Sequence, residues 1–406
     1  MKMEIAVIGG GAAGFFAAIA AKENHPAAGV VILEKSPHLL AKVKISGGGR
    51  CNVTNGCPSI KELCAAYPRG GTALKKAFRI FNNRDAMRWF EARGVPLVIQ
   101  DDNCVFPASQ NSQSIIDCFL REAQRLQIGI EVGRGIKAIR RSGERLALDF
   151  TGEKVPRRLF DKVIVATGGS PRREGLAWLE KLQHRIAAPV PSLFTFHMPA
   201  ESITGLMGIV VEKTLVTIQG TRLEAAGPLL ITHWGMSGPA ILKLSSFGAR
   251  LLSERGYEFK IQVNWANVQN HEVVTDYLKN LVAEQAGKML ANVRPYFLPE
   301  RLWRYLLGKS DLPADRKWGE LGRKGLHRLV AVLTHDVYAV KGKTSFREEF
   351  VTCGGVSLES IDLRTMQSKV CENLYFAGEI MDIDGITGGF NFQAAWTTAF
   401  IAGRLT

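Results

Sequence analysis

Apolar positions in the first 36 residues fall into short stretches of different character. Ile5, Val7 and Ile8 make a nearly continuous apolar run, the pattern of a strand buried on both faces. Residues 12–21 are alanine-rich and predict a helix, and residues 30–33 predict a second buried strand. Helical periodicity returns over 74–93 and 114–126. Residues 128–132, 136–140 and 146–150 read as a β-meander, and 162–166 as another buried strand running into Thr167-Gly168-Gly169. Near Ala187 the pattern changes. Pro189 and Pro191 lead into alternating segments at 193–197, 208–211, 214–218 and 258–263, which predict β structure. From about 271 to 332 the alternation gives way to a helical, basic stretch. Past Phe350 the chain reads as β again; residues 374–377 repeat the motif of a buried strand followed by glycine, and 392–402 predict a closing helix. There is no internal repeat or low-complexity tract.

Two glycine-limited helix starts carry the chemistry. Gly9-x-Gly11-x-x-Gly14 follows the first strand and opens the first helix, and Glu34 ends the next strand. In such a turn the first glycine permits the tight bend, the second lets a pyrophosphate approach the backbone, and the third lets helix and sheet pack closely. The helix start offers free N–H groups and the positive end of its dipole to phosphates. A carboxylate at Glu34 accepts ribose hydroxyls and disfavours a 2′-phosphate. With Ala12, Ala13 and Lys35 this predicts a dinucleotide site. The second start lies near the C-terminus: Gly378-Glu379 follows a strand, and Asp384-Gly-Ile-Thr-Gly-Gly389-Phe390-Asn391-Phe392 leads into the last helix. A helix start there suits an anionic reduced flavin, and Glu379 or Asp384 suits ribityl or ribose hydroxyls, so FAD is favoured over NAD. Between them, Lys44-Ile-Ser46-Gly47-Gly-Gly49-Arg50-Cys51-Asn52 reads as a backbone nest for phosphate or flavin with Arg50 as a clamp.

The expected fold class is therefore α/β, a Rossmann-type FAD-binding domain with a β-rich inserted domain and a small helical insertion. Residues 1–188 and 351–406 supply the FAD-binding domain, 189–268 and 334–350 the β-rich domain, and 269–333 the basic helical insertion. Seven cysteines without a Cys-x-x-Cys pair give no disulfide framework, redox pair or metal site. No stretch has the length of an apolar membrane span, and the N-terminus runs straight into a strand, so a cytoplasmic protein is expected. The formal net charge of +14 is uneven. Residues 288–347 hold thirteen Lys or Arg against five Asp or Glu, and residues 61–93 eight against three. Either stretch is a footprint for a polyanion or simply a solvated surface.

Together the two glycine motifs, Ser46-Gly-Gly-Gly-Arg-Cys-Asn52 and Thr232-His-Trp-Gly-Met-Ser-Gly-Pro239 resemble the BaiN-like family of bacterial NAD(P)/FAD-dependent oxidoreductases, over essentially the whole chain. The resemblance implies FAD contacts at the glycine turn, Glu34, the serine–glycine loop, the backbone of Ile136, Thr167-Gly168, Gly378-Glu379 and Asp384 through Phe392. Members of that family are linked to small-molecule redox steps, aminoacetone oxidation among them, and in one branch to reduction of a ribosomal RNA uridine to dihydrouridine. Only one dinucleotide fingerprint is present, so NADH or NADPH would dock transiently as electron donor. Candidate proton donors are His233, Cys353 and Cys51, each with a plain structural reading beside the catalytic one.

Three functional readings are open, two of them substrate classes. The first is large-subunit ribosomal RNA: Arg294, Arg301, Arg304, Lys309, Arg316, Lys317, Arg323, Lys324 and Arg328 would meet phosphates. The interleaved Tyr296, Phe297, Trp303, Tyr305 and Trp318 would stack on an unpaired base. The second is a small amine, ketone or enone. The third is a non-catalytic, flavin-stabilised binding protein. The oligomeric state is not written in the sequence.

Overall fold

The computed structural model describes residues 2–152, 155–344 and 351–406. The chain builds two compact units, Met1–Pro191 with Val351–Thr406, and Ser192–Phe350.

In the first unit a seven-stranded sheet is ordered Ile361–Asp362, Gln367–Ser368, Leu374–Phe376, Lys162–Val165, β1 (Glu4–Ile8), β2 (Gly29–Leu33) and Gly129–Glu131. The five strands from Leu374–Phe376 to Gly129–Glu131 are parallel, and their continuous apolar runs are what burial on both faces requires. Strand order reverses at β1, the switch point where open α/β sheets bind ligands. Register aligns the strand ends there: Ile8 pairs with both Leu33 and Val165, and Val165 with Phe376. The loops beginning at Gly9, Glu34, Ala166 and Ala377 therefore leave one edge of the sheet together, although 368 residues separate the first from the last.

Helix α1 (Ala12–Asn24) is buried along nearly its whole length, and its alanines let it lie close to both the sheet and the C-terminal helix Phe390–Ala402. A Cβ on Gly403 would come within 2.6 Å of the Ala20 Cβ, so that helix pair needs glycine at its closest point. Phe16, Trp89, Phe119 and Trp396 fill the adjoining core with ring centroids 4.5–6.4 Å apart.

The structure differs from the sequence pattern at two places in this unit. The stretch 74–93 is two short helices, Gly71–Ala77 and Asn83–Glu91, because Asn82 caps the second through a capping box with Asp85. The supposed meander is divided: Gly129–Glu131 joins the parallel sheet, while Ile136–Ser142, Arg145–Phe150 and Arg158–Phe160 form a separate antiparallel sheet.

The second unit is a six-stranded antiparallel sheet, Phe196–His197, Gly235–Ser237, Glu224–Thr232, Val210–Ile218, Glu258–Asn264 and Asp336–Lys341. Its helices His271–Glu284, Glu300–Lys309 and Gly322–Thr334 share one apolar core with the sheet rather than forming a separate core. The end of the expected β-rich return, 345–350, lies outside the described residues, as does Arg347 of the basic stretch.

Candidate functional site

The glycine turn after β1 has the three properties its spacing predicts. Gly9 sits at φ +113°, and a Cβ there would lie 2.4 Å from the Ala166 carbonyl oxygen. A Cβ on Gly14 would lie 1.8 Å from the Gly9 carbonyl oxygen, so the helix cannot pack against the turn with any side chain at that position. At Gly11 a Cβ would meet nothing within 4 Å. That is open space, directly over a helix start that no side chain caps. Ala12 and Ala13 form the first turn of this uncapped start. Glu34 lies beside it: one carboxylate oxygen accepts from the Gly10 N–H at 2.7 Å and the other from the Ser36 N–H at 2.8 Å. The backbone of 134–136 adjoins this point, with Arg134 N–H donating to the Glu34 carbonyl at 2.8 Å and Ile136 two residues on. Lys35 is exposed nearby in sequence.

The other chain end reaches the same sheet edge. Gly378, at φ +76°, sits so close to α1 that a Cβ would come within 2.8 Å of the Ala13 Cβ, and its N–H donates to Thr398 Oγ1 at 2.9 Å. Glu379 accepts from Lys42 Nζ at 2.7 Å and from the Thr352 N–H at 2.9 Å. A Cβ on Gly169 would lie 2.7 Å from a Glu379 oxygen, which puts the Thr167-Gly168 turn, with Gly168 at φ +74°, beside it.

The serine–glycine loop follows a short helical turn and then unwinds: Gly47, Gly48 and Gly49 have φ of +57°, +68° and +84°. Ser112 braces it, its hydroxyl donating to the Lys44 carbonyl at 2.8 Å and its N–H to Gly49 at 2.9 Å. Ser46 Oγ donates to the Val43 carbonyl, and the Lys44 side chain is exposed. Arg50 lies 4.1 Å over the Phe106 ring and donates to the Gly47 carbonyl, closing the loop on itself. The loop continues into residues that hold the start of the C-terminal helix. Thr54 donates to Gln393 at 2.6 Å and Asn55 to the Gly388 carbonyl at 3.1 Å, and a Cβ on Gly389 would lie 2.7 Å from Asn52 Oδ1.

Several expected site residues turn out to be internal supports. Asp384 is fully buried and both its oxygens bind Arg69, one at 2.6 Å from Nε, so its carboxylate is not available to a ribityl chain. Asn391 clamps the backbone of Gly385 from both sides, at 2.8 and 2.9 Å. The Phe390 carbonyl accepts from the buried Tyr67 hydroxyl at 2.6 Å, and Phe392 stacks on Trp396. Among the candidate acids, Cys51 and Cys353 are both fully buried in the protein. Burial pushes the Cys51 thiol up to about 12, outside any useful range for a proton donor near neutrality. Cys353 lies in Val351–Val356, a strand buried along its length. His233 is exposed, on the turn between Glu224–Thr232 and Gly235–Ser237 in the second unit. Its motif is otherwise architectural: a Cβ on Gly235 would lie 2.1 Å from the Phe196 carbonyl, and Pro239 begins a helix.

The residues present thus fit FAD: an uncapped helix start with open space at Gly11, a carboxylate at the end of β2, and a second glycine-limited start at the same sheet edge. The family pattern described as HI0933-like protein Rossmann domain matches residues 3–405. The chain belongs to the HI0933-like family. A relative in Clostridium scindens, 25% identical over 98% of both chains, is named 3-dehydro-bile acid delta(4,6)-reductase. One in Escherichia coli, 28% identical over 98% of this chain and 96% of the other, is named ribosomal RNA dihydrouridine synthase. In fold the HI0933-like chain is similar to a 3-ketosteroid-delta4-(5alpha)-dehydrogenase from Rhodococcus jostii, at a TM-score of 0.53 and 13% identity, covering 99% of this chain and 97% of that one. This HI0933-like protein is an FAD-dependent oxidoreductase.

Sequence reasoning missed Lys42, Arg69, Thr54, Gln393 and Thr398. Their partners lie 20 to 339 residues away, and no local spacing marks such pairs. Arg69 carried a misleading signal, since it belongs to a basic stretch read as outward-facing. Arg93 of that stretch is likewise turned inward, over Trp89 and onto Glu23 and Glu122. Lys61, Lys75, Lys76 and Arg79 remain exposed. Two adjoining clefts of about 540 and 370 Å³ share Thr72, Ala73 and Leu358; Lys61 lines the larger, and Lys76, Arg364 and Lys369 the smaller. Among the described residues no cluster of three or more metal-ligating side chains occurs, and no helix is long and apolar enough to cross a membrane.

Proposed function

We propose that this enzyme reduces a uridine in large-subunit ribosomal RNA to dihydrouridine, with NADH or NADPH as electron donor. The overall change adds a hydride to C6 and a proton to C5 of uracil, oxidising NAD(P)H to NAD(P)+. Bound FAD supplies the two-electron hydride chemistry. The chain's own part is to hold that cofactor and to present the base. In this reading the N–H groups at Gly11, Ala12 and Ala13 take the pyrophosphate, Glu34 the adenosine ribose and the Ile136 backbone the adenine side. The serine–glycine loop, Thr167-Gly168, Gly378-Glu379 and the Gly389 to Phe392 start line the flavin side. Lys42 fixes Glu379.

The observation that carries the substrate is electrostatic. Arg294, Arg316, Arg323 and Lys324 are exposed, and among the described residues none has a carboxylate within ion-pair distance. Cations left unneutralised on one subdomain suit a phosphate backbone, and the Escherichia coli relative's name supports the same class. The lysine-lined clefts of the first unit suit further phosphates. Purified enzyme, NAD(P)H and large-subunit RNA lacking the modification should yield dihydrouridine by nucleoside mass spectrometry. Flavin bleaching by NADH or NADPH without any dihydrouridine would remove the RNA reading and leave reductase chemistry standing.

A second reading has its own support in the Clostridium scindens relative, whose name also describes a reductase. A small conjugated enone would undergo the same hydride-and-proton addition. Turnover of a free enone without RNA would favour it.

A further inference from the structure

Five aromatics were interleaved with the cations of the helical segment, and the structure separates them sharply. Trp303 and Trp318 are fully buried, their rings parallel within 4° at 6.2 Å, and belong to the core of the second unit. Tyr305 is half-buried with its hydroxyl 3.1 Å from that of Ser202. Tyr296 packs its ring against Tyr277 at 4.6 Å. Phe297 is 99% exposed, where the next most exposed large apolar side chain among the described residues, Met207, reaches 58%.

That exposure is built by the turn. Pro295 and Leu298 are buried on either side, Tyr296 is held against Tyr277, and the Leu298 N–H closes the turn onto the Pro295 carbonyl at 3.2 Å. Tyr296 and Phe297 both have positive φ, +53° and +56°, a conformation unfavourable for residues with side chains. Two consecutive aromatics in that conformation, with the neighbours anchored in the core, leave Phe297 as the one ring the turn directs outward. Around it in sequence are the exposed Arg294, Arg301 and Arg304; Arg301 donates to the Gly205 carbonyl and Arg304 pairs with Glu300, while Arg294 has no carboxylate partner among the described residues.

A solvent-facing ring on a turn anchored by its neighbours, with the exposed Arg294 three residues before it, matches what single-stranded nucleic acid needs: phosphates meet the charge and a base stacks on the ring. We infer that Phe297 is a stacking platform for an unpaired base of the RNA, outside the flavin site. The inference rests on the RNA reading above and adds to it one residue and one mode of contact. Stacking needs a flat π face and no charge. Phe297→Leu therefore loses affinity while Phe297→Trp keeps it, and neither alters the salt dependence of binding, which counts neutralised phosphates.

The test is binding of a looped large-subunit RNA fragment to the FAD-loaded full-length protein over a series of salt concentrations. Thermal melting and the flavin spectrum serve as controls for folding. Phe297→Leu should bind roughly tenfold more weakly with an unchanged salt slope, Phe297→Trp should bind like wild type, and Arg294→Ala should reduce the slope. Equal affinity of wild type and Phe297→Leu would overturn the stacking role while leaving the RNA reading intact. If wild type itself does not bind RNA, the reading and the inference fall together. Unchanged RNA binding alongside loss of self-association in sedimentation would make Phe297 a contact between protein copies and likewise overturn the proposal.

Discussion

The two helix starts at the sheet edge look alike in sequence, each a glycine-limited turn after a buried strand, yet they are built on opposite plans. The α1 start is bare: no side chain caps it, and the space over Gly11 is open. The start of Phe390–Ala402 is enclosed by its own chain, with Asp384 on Arg69, Asn391 on Gly385, Asn55 on Gly388 and Gly389 pressed against Thr54. The first is shaped by leaving groups out. The second is shaped by side chains that fix the conformation of its own loop. A methyl added in the open space of the first, at Gly11, should harm ligand binding with little cost to folding; substitutions at the supports of the second should harm folding first.

The largest effect is expected at Asp384→Ala. Arg69 keeps only 11% side-chain exposure and would lose its buried partner, a change that costs about 3–5 kcal/mol. Urea unfolding measures it; a loss below about 1 kcal/mol would mean that the pair does not hold the loop. Gly14→Ala comes next. Its Cβ would overlap the Gly9 carbonyl, so α1 must move away from the turn, at roughly 1–3 kcal/mol, and FAD should be lost during purification. An alanine variant that melts like wild type and stays yellow would refute the packing role.

At Glu34→Gln the shape is kept and the charge removed. FAD affinity should fall roughly tenfold, as charged acceptors form the stronger hydrogen bonds, and the FAD-free protein should lose about 1 kcal/mol because the amide NH2 cannot accept from one of the two backbone N–H groups. A large stability loss without a binding defect would show that Glu34 serves only the Gly10 and Ser36 backbone. The smallest effect concerns Cys51. Its folded thiol is raised from an ordinary value of 9.0 to about 12, so above pH 9 the unfolded chain gives up a proton that the folded chain keeps. Its contribution to stability is complete below pH 9 and declines as pH rises toward 12. Melts at pH 8 and 10.5 should diverge less in Cys51→Ala than in wild type, and turnover at pH 7 should stay within about twofold, the ordinary margin for removing a group that takes no part in the chemistry.

What the sequence revealed and what it concealed follow the same division. The bare start was legible because its design is local: Gly9, Gly11, Gly14 and Glu34 act through spacing along a strand, a turn and a helix. The enclosed start was only half legible. Its glycines showed, but Asp384 and Asn391 read as ligand groups, because a polar residue in a loop gives no sign of whether it faces a ligand or a distant part of its own chain. Arg69 lies 315 residues from Asp384, and that pairing exists only once the fold has formed. Cys51, between Arg50 and Asn52, and Trp303, among arginines, each carried a structural reading beside a functional one, and tertiary packing decides for the structural one by burying both completely.

Gly11→Ala tests the account most directly. Residue 11 has φ −93°, which any residue adopts, and an added methyl would touch no protein atom within 4 Å, so the FAD-free variant should unfold within about 0.5 kcal/mol of wild type. Equilibrium titration of both FAD-free proteins with FAD, followed by fluorescence, should nevertheless give an affinity for the variant at least roughly tenfold weaker, because the methyl occupies the place where the pyrophosphate meets the backbone. Equal affinities would contradict the claim that the bare start of α1 is where this enzyme holds its cofactor.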